Sequence, residues 1–232
     1  MNKTSVVALD NADDVVAFLD YLKNTTEKES FILTNIKLPS ENDDDNILVI
    51  GDTISTVYSI VNADHEFEAA YSLSDIIEPW FYKSISNIKD MIDKYNFCSP
   101  DIAAKAIKDI IRIIVCEKHG CNKIISGTRN KDTLAENLFV LNSLKEYFKD
   151  FDVDFVHPIF DKSDEYVETK LAEYCAEIGF ESSCTFREDL MKDNWKYSSE
   201  MNNDIKSYID GFLTDLLKEV YSSKIDIGGL DE

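Results

Sequence analysis

The chain has 232 residues, and 44% of them are hydrophobic, which is enough to build one substantial core. Acidic residues outnumber basic ones by 45 to 24, so the net charge is −21, and we expect such a surface to repel nucleic-acid backbones and anionic lipid. No apolar run approaches the roughly 20 residues that span a bilayer and the N-terminus lacks the apolar stretch of a signal peptide, so we expect a cytoplasmic protein without a membrane segment.

The N-terminal part of the sequence predicts a strand–helix–strand unit. Residues 4–9 are apolar and partly β-branched, as in a short buried strand. A polar run follows, and apolar residues at helical spacing over 15–22 then predict a helix, for which the preceding Asp and Asn residues are good N-caps. Further strands are predicted at 30–38 and 47–51, on either side of an acidic turn at 40–46. This order favours a βαβ crossover and a parallel sheet.

The second half of the sequence continues the alternation of helices and strands. Helices are predicted at 103–120, 133–148 and 163–178, and strands at 122–127 and 153–160. The first of these helices stops at a glycine, as many helices do. The stretch from 64 to 97 shows an aromatic cluster at 80–82 but no clear period.

This pattern predicts an α/β fold with a doubly wound, mainly parallel sheet flanked by helices. We expect residues 1–188 to form the α/β domain and residues 189–232 to form a C-terminal helical extension with a loose tail. A helix predicted at 202–221 carries apolar residues on one face. We expect this face to contact a partner.

The cysteines are scattered and show no C-x2-C pair. An odd number without dense spacing is typical of reduced thiols in a cytosolic core, and it argues against a zinc site. The five cysteines are Cys98, Cys116, Cys121, Cys175 and Cys184.

The region from 100 to 186 resembles the N-type PP-loop ATP pyrophosphatases, and within them the 7-cyano-7-deazaguanine synthase branch. The resemblance rests on four features in the family's order, namely a helix ending in glycine, the I-I-S-G turn with a later Asp, the segment H-P-I-F-D-K-S, and E-I-G-F followed by T-F. It implies the adenine nucleotide alpha hydrolase-like fold, and it implies adenylation of a substrate by ATP with release of pyrophosphate.

The N-terminal segment fits the family's phosphate-binding loop, but the loop residues are replaced. V-V-A-L-D-N-A-D-D-V lies over the family's V-V-x-L-S-G-G-x-D-S. The family's Ser-Gly-Gly is therefore Asp10-Asn11-Ala12 here; Asp14 matches the family's Asp, and Val15 replaces the last Ser. Backbone N–H groups converge on a pyrophosphate most readily where glycines allow positive φ, so we expect a degenerate nucleotide-binding loop.

Three carboxylates, on Asp10, Asp13 and Asp14, fall on this loop. Each close like-charge pair costs roughly 1 kcal/mol in water and about 4 kcal/mol at an effective dielectric constant near 20. Two or three such pairs would cancel a micromolar affinity of about 8 kcal/mol. Two alternatives remain open: the carboxylates bind Mg²⁺, or they form a solvated turn that caps the helix.

A residual pocket is predicted at Gly127, Asp132 and Lys162. Asp132 either lines the pocket or caps a helix starting at Thr133. Lys162 is the basic group that the resemblance retains near phosphate, or else it is a surface lysine. No metal site is predicted, because the family's C-terminal zinc cysteines are missing after Cys184. His157 is expected to be a packed histidine.

The sequence thus favours a catalytically inactive homologue without catalytic residues or a cofactor, acting as a binding or structural component with a protein partner or with itself. The Asn, Asp, Ile and Lys content suits an AT-rich genome, including that of a bacteriophage, and the location is then the cytoplasm or the virion. One alternative is a divergent enzyme that adenylates a deazapurine-type substrate with ATP and Mg²⁺, through Asp14, Asp132 and Lys162. Another is an acidic decoy of a nucleic-acid-binding protein.

Overall fold

A parallel five-stranded sheet forms the centre of the fold. The structure is a computed structural model that describes residues 3–26, 28–38, 65–86, 88–177, 197–223 and 225. The strands are β1 (Lys3–Ala8), β2 (Glu29–Asn35), β3 (Glu66–Ser72), β4 (Lys123–Ile125) and β5 (Asp154–Val156). Their order in the sheet is β3-β2-β1-β4-β5, and every neighbouring pair is parallel. The α/β class and the parallel sheet are confirmed.

Helices follow the strands along the chain. They are α1 (Ala12–Asn24), α2 (Ser74–Ile85), α3 (Ile88–Tyr95), α4 (Pro100–His119), α5 (Leu138–Phe148) and α6 (Asp164–Glu177). A C-terminal helical segment follows, with a 3₁₀ turn at Ser199–Met201, α7 (Asn202–Tyr208), a wider π turn at Ile209–Leu213 and α8 (Thr214–Ser222).

Two hydrophobic clusters cover the two faces of the sheet. Alternate residues of β1 point to opposite faces, so Val6 packs in the cluster that contains α4, whereas Val7 packs in the cluster that contains α1. Both residues are fully buried. Like other central strands of parallel sheets, β1 thus carries apolar residues on both faces.

The C-terminal segment packs into the α4 side of the core. Ile205, Tyr208, Leu213 and Val220 are fully buried there. The apolar face of the predicted helix at 202–221 is therefore used inside the chain, and the expectation that it contacts a partner is wrong. The division of the chain at residue 188 stays a prediction.

Several elements differ from the sequence expectations. The helix expected from residue 133 begins at Leu138, because the side chain of Asn137 accepts the N–H of Phe139 and caps the helix there. The stretch from 64 to 97 contains β3, α2 and α3. The strand expected at 47–51, the acidic turn at 40–46, the end of the helix at 178 and the residues 179–188 lie outside the described part of the chain.

Candidate functional site

The candidate site lies between β1 and β4, at their carboxyl ends. The chain order of the sheet reverses at this point, because β1 is followed in sequence by β2 on one side and pairs with β4 on the other. In open α/β sheets ligands bind in the crevice at such a switch point. The turn from β1 into α1 lies on one side of this switch point, and the turn after β4 lies on the other.

Asp10 is buried and ion-paired. Its Oδ2 lies 2.5 Å from Nη2 of Arg112 and 3.4 Å from Nζ of Lys108. Its Oδ1 accepts the N–H of Ile36 at 2.8 Å. Burial opposes ionisation, but the charges of Arg112 and Lys108 and these hydrogen bonds outweigh it, so the pKa of Asp10 is below its usual value and the group is a carboxylate at neutral pH.

Arg112 is almost fully buried, with 3% of its surface exposed. Burial alone would lower its pKa, but the nearby carboxylates of Asp10, Asp14 and Asp109 raise the pKa above the ordinary value. The guanidinium therefore stays charged. Its Nε donates to Oγ1 of Thr34 at 3.3 Å, which ties the ion pair to the end of β2.

Asp13 forms a second group of ion pairs. Nε and Nη2 of Arg129 donate to its two carboxylate oxygens at 3.0 and 3.1 Å, in the two-point geometry that suits guanidinium and carboxylate. Nζ of Lys131 lies 2.8 Å from Oδ2 of Asp13 and 3.0 Å from Glu136. Arg129 also contacts Oδ1 of Asp164 at 2.6 Å. These contacts join the start of α1 to the turn after β4 and to the start of α6.

Asp14 accepts hydrogen bonds from backbone N–H groups of both turns. Its Oδ2 accepts the N–H of Asp10 at 2.9 Å, and its Oδ1 accepts the N–H of Gly127 at 2.6 Å. Its own N–H donates to Oδ1 of Asn11, the N-cap of α1. Burial and the charge of Asp10 raise the pKa of Asp14, against the lowering effects of Arg112 and the two N–H groups.

Gly127 is in close contact with the start of α1. A Cβ at this position would lie 2.3 Å from the carbonyl carbon of Asp13 and from the nitrogen of Asp14. Only a residue without a side chain allows the two backbones to approach this closely.

The structure brings together only part of the predicted set. Asp10, Asp13, Asp14 and Gly127 converge, Asn11 caps α1, and Ala12 and Val15 belong to the first turn of α1, where Val15 is buried in the core. Nζ of Lys162 lies 4.9 Å from the ring centre of Tyr166 instead. Asp132 is exposed, and its suggested role as a helix cap is wrong because α5 starts at Leu138.

Sequence reasoning missed the cations that bind Asp10 and Asp13. They are Lys108, Arg112, Arg129 and Lys131. A signal for one of them was available, since an arginine stands within the apolar run I-I-R-I-I of α4 and buried arginines need a carboxylate partner.

A second polar chain lies beside the site at the ends of β4 and β5. Nζ of Lys105 donates to Oγ1 of Thr128 at 2.8 Å, Oγ1 of Thr128 is 3.2 Å from Oγ of Ser126, and Oγ of Ser126 is 3.0 Å from Nδ1 of His157. Burial, together with the charge of Lys105, lowers the pKa of His157 to about 4. His157 is thus a packed neutral side chain, as expected.

We predict that His157 makes the fold sensitive to mild acid. Between pH 6.5 and 4 the histidine is protonated in the unfolded chain but not in the folded chain. The free energy of unfolding therefore decreases as the pH falls through this range, by at most about 3 kcal/mol. Urea unfolding of the wild type and of His157→Gln across this range measures the effect. The variant should show the flatter pH profile, and parallel profiles would contradict the prediction.

A cavity of about 200 Å³ opens near the carboxyl ends of β1, β2 and β3. Leu9, Asn35, Tyr71 and Ser72 are among its lining residues. Asn35 is 5% exposed, and its Nδ2 donates to the carbonyl of Leu9 at 2.6 Å. Its Oδ1 is buried and has no hydrogen-bond partner within the described part of the chain.

Comparison with known proteins gives matches among solved structures only. No protein-family model and no curated protein matches the chain. A 4-thiouridine synthetase, solved in complex with RNA and with bound ATP, aligns with a TM-score of 0.59 at 12% identity, covering 95% of this chain and 54% of the other. A predicted subunit of a tRNA methyltransferase from Methanocaldococcus jannaschii aligns with a TM-score of 0.42 at 12% identity, over 75% of each chain.

The first of these matches establishes the class of the fold. The chain has the α/β fold of the PP-loop, adenine nucleotide alpha hydrolase-like enzymes, and it spans about half the length of the synthetase. At 12% identity this match shows the fold alone, and membership of the 7-cyano-7-deazaguanine synthase branch stays a prediction. Among the described helices none is long and apolar enough to cross a membrane. The residues described hold no cluster of three or more potential metal ligands.

Proposed function

We propose that the chain is a catalytically inactive relative of the PP-loop ATP pyrophosphatases that serves as a binding or structural component. The observation that supports this proposal is that the carboxylates of Asp10 and Asp13 already bind the cations around the loop. Those cations are Lys108, Arg112, Arg129 and Lys131.

The physical obstacle to phosphate differs from the one that the sequence suggested. From the sequence, the loop carboxylates were expected to repel an anion; in the structure Asp10 and Asp13 are neutralised by their partners, so a phosphate has to displace them. Separating a buried carboxylate from its cation costs about 3–5 kcal/mol. The Asp13 carboxylate is 15% exposed and costs less to separate, so the two separations together would offset a large part of the roughly 8 kcal/mol that micromolar binding provides.

We predict that the wild-type chain gives no binding heat with Mg-ATP or Mg-pyrophosphate at millimolar concentration in calorimetry. The double variant Asp10→Ser, Asp13→Ala frees the basic side chains, so Mg-pyrophosphate should bind it and raise its melting temperature. Asp75→Asn with Asp90→Asn is the control, because it changes the net charge equally at exposed positions on α2 and α3. If the control also bound Mg-pyrophosphate, the gain in binding would be due to the change in net charge and not to the freed cations.

A divergent nucleotide-binding enzyme is the second candidate, and the cavity beside Asn35 favours it. The unpartnered Oδ1 of Asn35 suits the amino group of a purine-like ring, provided that the side chain turns this buried atom towards the cavity. Micromolar binding of Mg-ATP by the wild type, abolished by Lys162→Ala, would defeat the first proposal. This candidate requires Lys162 to move from the ring of Tyr166 to the ligand.

The proposed partner is a protein or a second copy of the chain. Exposed apolar side chains on α2 and α3 support a binding face, since Tyr82 is 50% and Ile92 is 49% exposed. Cytoplasmic or virion-associated location and a bacteriophage origin remain part of this proposal.

A further inference from the structure

The end of α4 brings two cysteines side by side. The helix closes with Gly120 in the left-handed conformation at φ 64°; the N–H of Cys121 donates to the carbonyl of Cys116 at 2.9 Å, and that of Gly120 donates to Glu117 at 3.2 Å. These two bonds define a Schellman motif, in which the side chains at the positions of Cys116 and Cys121 meet. Here both side chains are thiols, and Sγ of Cys116 donates to the carbonyl of Lys123 at 3.7 Å, just beyond Cys121.

The environments of the two sulfurs differ in the way that disulfide exchange requires. Cys116 is fully buried, whereas Cys121 is partly exposed. The neighbouring thiol of Cys116 lowers the pKa of Cys121, against the opposing effect of partial burial. The neighbouring Cys121, burial and the charge of Glu117 raise the pKa of Cys116. The exposed sulfur is therefore the nucleophile, and the buried one can react only after it.

We propose that Cys116 and Cys121 are a redox-active dithiol that closes to an intramolecular disulfide by exchange with low-molecular-weight disulfides such as glutathione disulfide. The thiolate of Cys121 attacks one sulfur of glutathione disulfide, forming a mixed disulfide and releasing one glutathione thiolate. Cys116 then loses its proton and attacks the sulfur of Cys121, which releases the second glutathione. Two protein thiols are oxidised, and one glutathione disulfide is reduced to two glutathione molecules.

This proposal does not depend on the proposed function, because the pair lies at the amino end of β4 and the candidate site lies at its carboxyl end. The helix-ending bonds already hold the two residues together in the reduced chain.

The sequence allows a direct test, because Lys118 lies between the two cysteines. Trypsin cleaves after Arg112, Lys118 and Lys123, so Cys116 and Cys121 fall in separate peptides that stay joined only through a disulfide. The chain with Cys98, Cys175 and Cys184 changed to Ser is incubated folded with glutathione disulfide and mapped by mass spectrometry. We expect the joined peptides, with separation on reduction.

Two variants in the same background assign the steps. With Cys116→Ser, glutathione should remain attached at Cys121, since nothing resolves the mixed disulfide. With Cys121→Ser, Cys116 should stay unmodified while the chain is folded. The proposal is overturned if the folded two-cysteine chain keeps both thiols, or accumulates a stable glutathione adduct, under conditions that oxidise the denatured chain. If the triple Ser background does not fold, the same peptides give the same readout in the wild-type chain.

Discussion

Replacing Gly127 with alanine is expected to lower the free energy of unfolding by about 3 kcal/mol or more, at the upper end of the range for a group added to a packed interior. The new Cβ would lie 2.3 Å from backbone atoms of Asp13 and Asp14, which cannot rotate away as a side chain can. Relief of the clash requires β4 and α1 to separate. That movement also lengthens the 2.6 Å bond from the N–H of Gly127 to Asp14. Urea unfolding measures the loss.

Gly120→Ala is the matched control for this experiment. The backbone at Gly120 is left-handed, with φ at 64°, but nothing lies within 4 Å of the added Cβ. We expect a loss of only about 1–2 kcal/mol, which is the cost of the left-handed conformation for alanine. If the two variants lost equal stability, the close approach at Gly127 would not be the restricting feature.

The second large effect is expected from Arg112→Met. Methionine fills much of the same volume, but it leaves the buried carboxylate of Asp10 with Lys108, at 3.4 Å, as its nearest cation. Breaking a buried pair by removing one partner costs about 3–5 kcal/mol, and because Lys108 remains as a counterion we expect the lower end of this range, about 3 kcal/mol. We expect a loss of this size in urea unfolding at neutral pH.

The double variant Asp10→Asn, Arg112→Met separates the charge effect from the packing effect. Asparagine keeps an oxygen that accepts the N–H of Ile36, and it leaves no unpaired charge in the interior. The double variant should therefore recover much of the lost free energy of unfolding. Lys83→Met is the surface control: its ion pair with Glu219 is about half exposed, and its removal should cost less than about 1 kcal/mol. A double variant as unstable as the single one would show that the guanidinium acts through packing alone.

The sequence was sufficient for the fold class, because periodicity and helix-ending residues are local signals. The apolar strand at 4–9, the helix ending at Gly120 and the strand at 122–127 correspond to β1, α4 and β4. β3 was missed because its exposure alternates and, among the described strands, it pairs with β2 alone at an edge of the sheet. Its sequence therefore lacks the continuous apolar run of a central strand.

Sequence reasoning named the acidic residues of the candidate site but not their basic partners. Asp10 and Asp13 were found because they are adjacent in sequence to a recognisable loop, whereas Arg112 and Arg129 reach them from about 100 residues further along the chain. Such pairings depend on the sheet order, which no local pattern specifies. A phosphate at this loop therefore has to compete with Asp10 and Asp13 for cations that are already paired, and it does not meet free carboxylates.

The central position of β1 has a consequence for how the chain folds. Its pairing with β2 joins neighbouring parts of the sequence, but its pairing with β4 joins Val6 to Ile124, across half of the chain. Closing so long a loop has a large entropic cost before the contacts between β1 and β4 stabilise it. Parallel sheets of this kind therefore fold slowly. Until β4 arrives, one edge of β1 offers free backbone hydrogen-bonding groups to other chains. A newly made chain is therefore most prone to aggregate while its second half is still being synthesised.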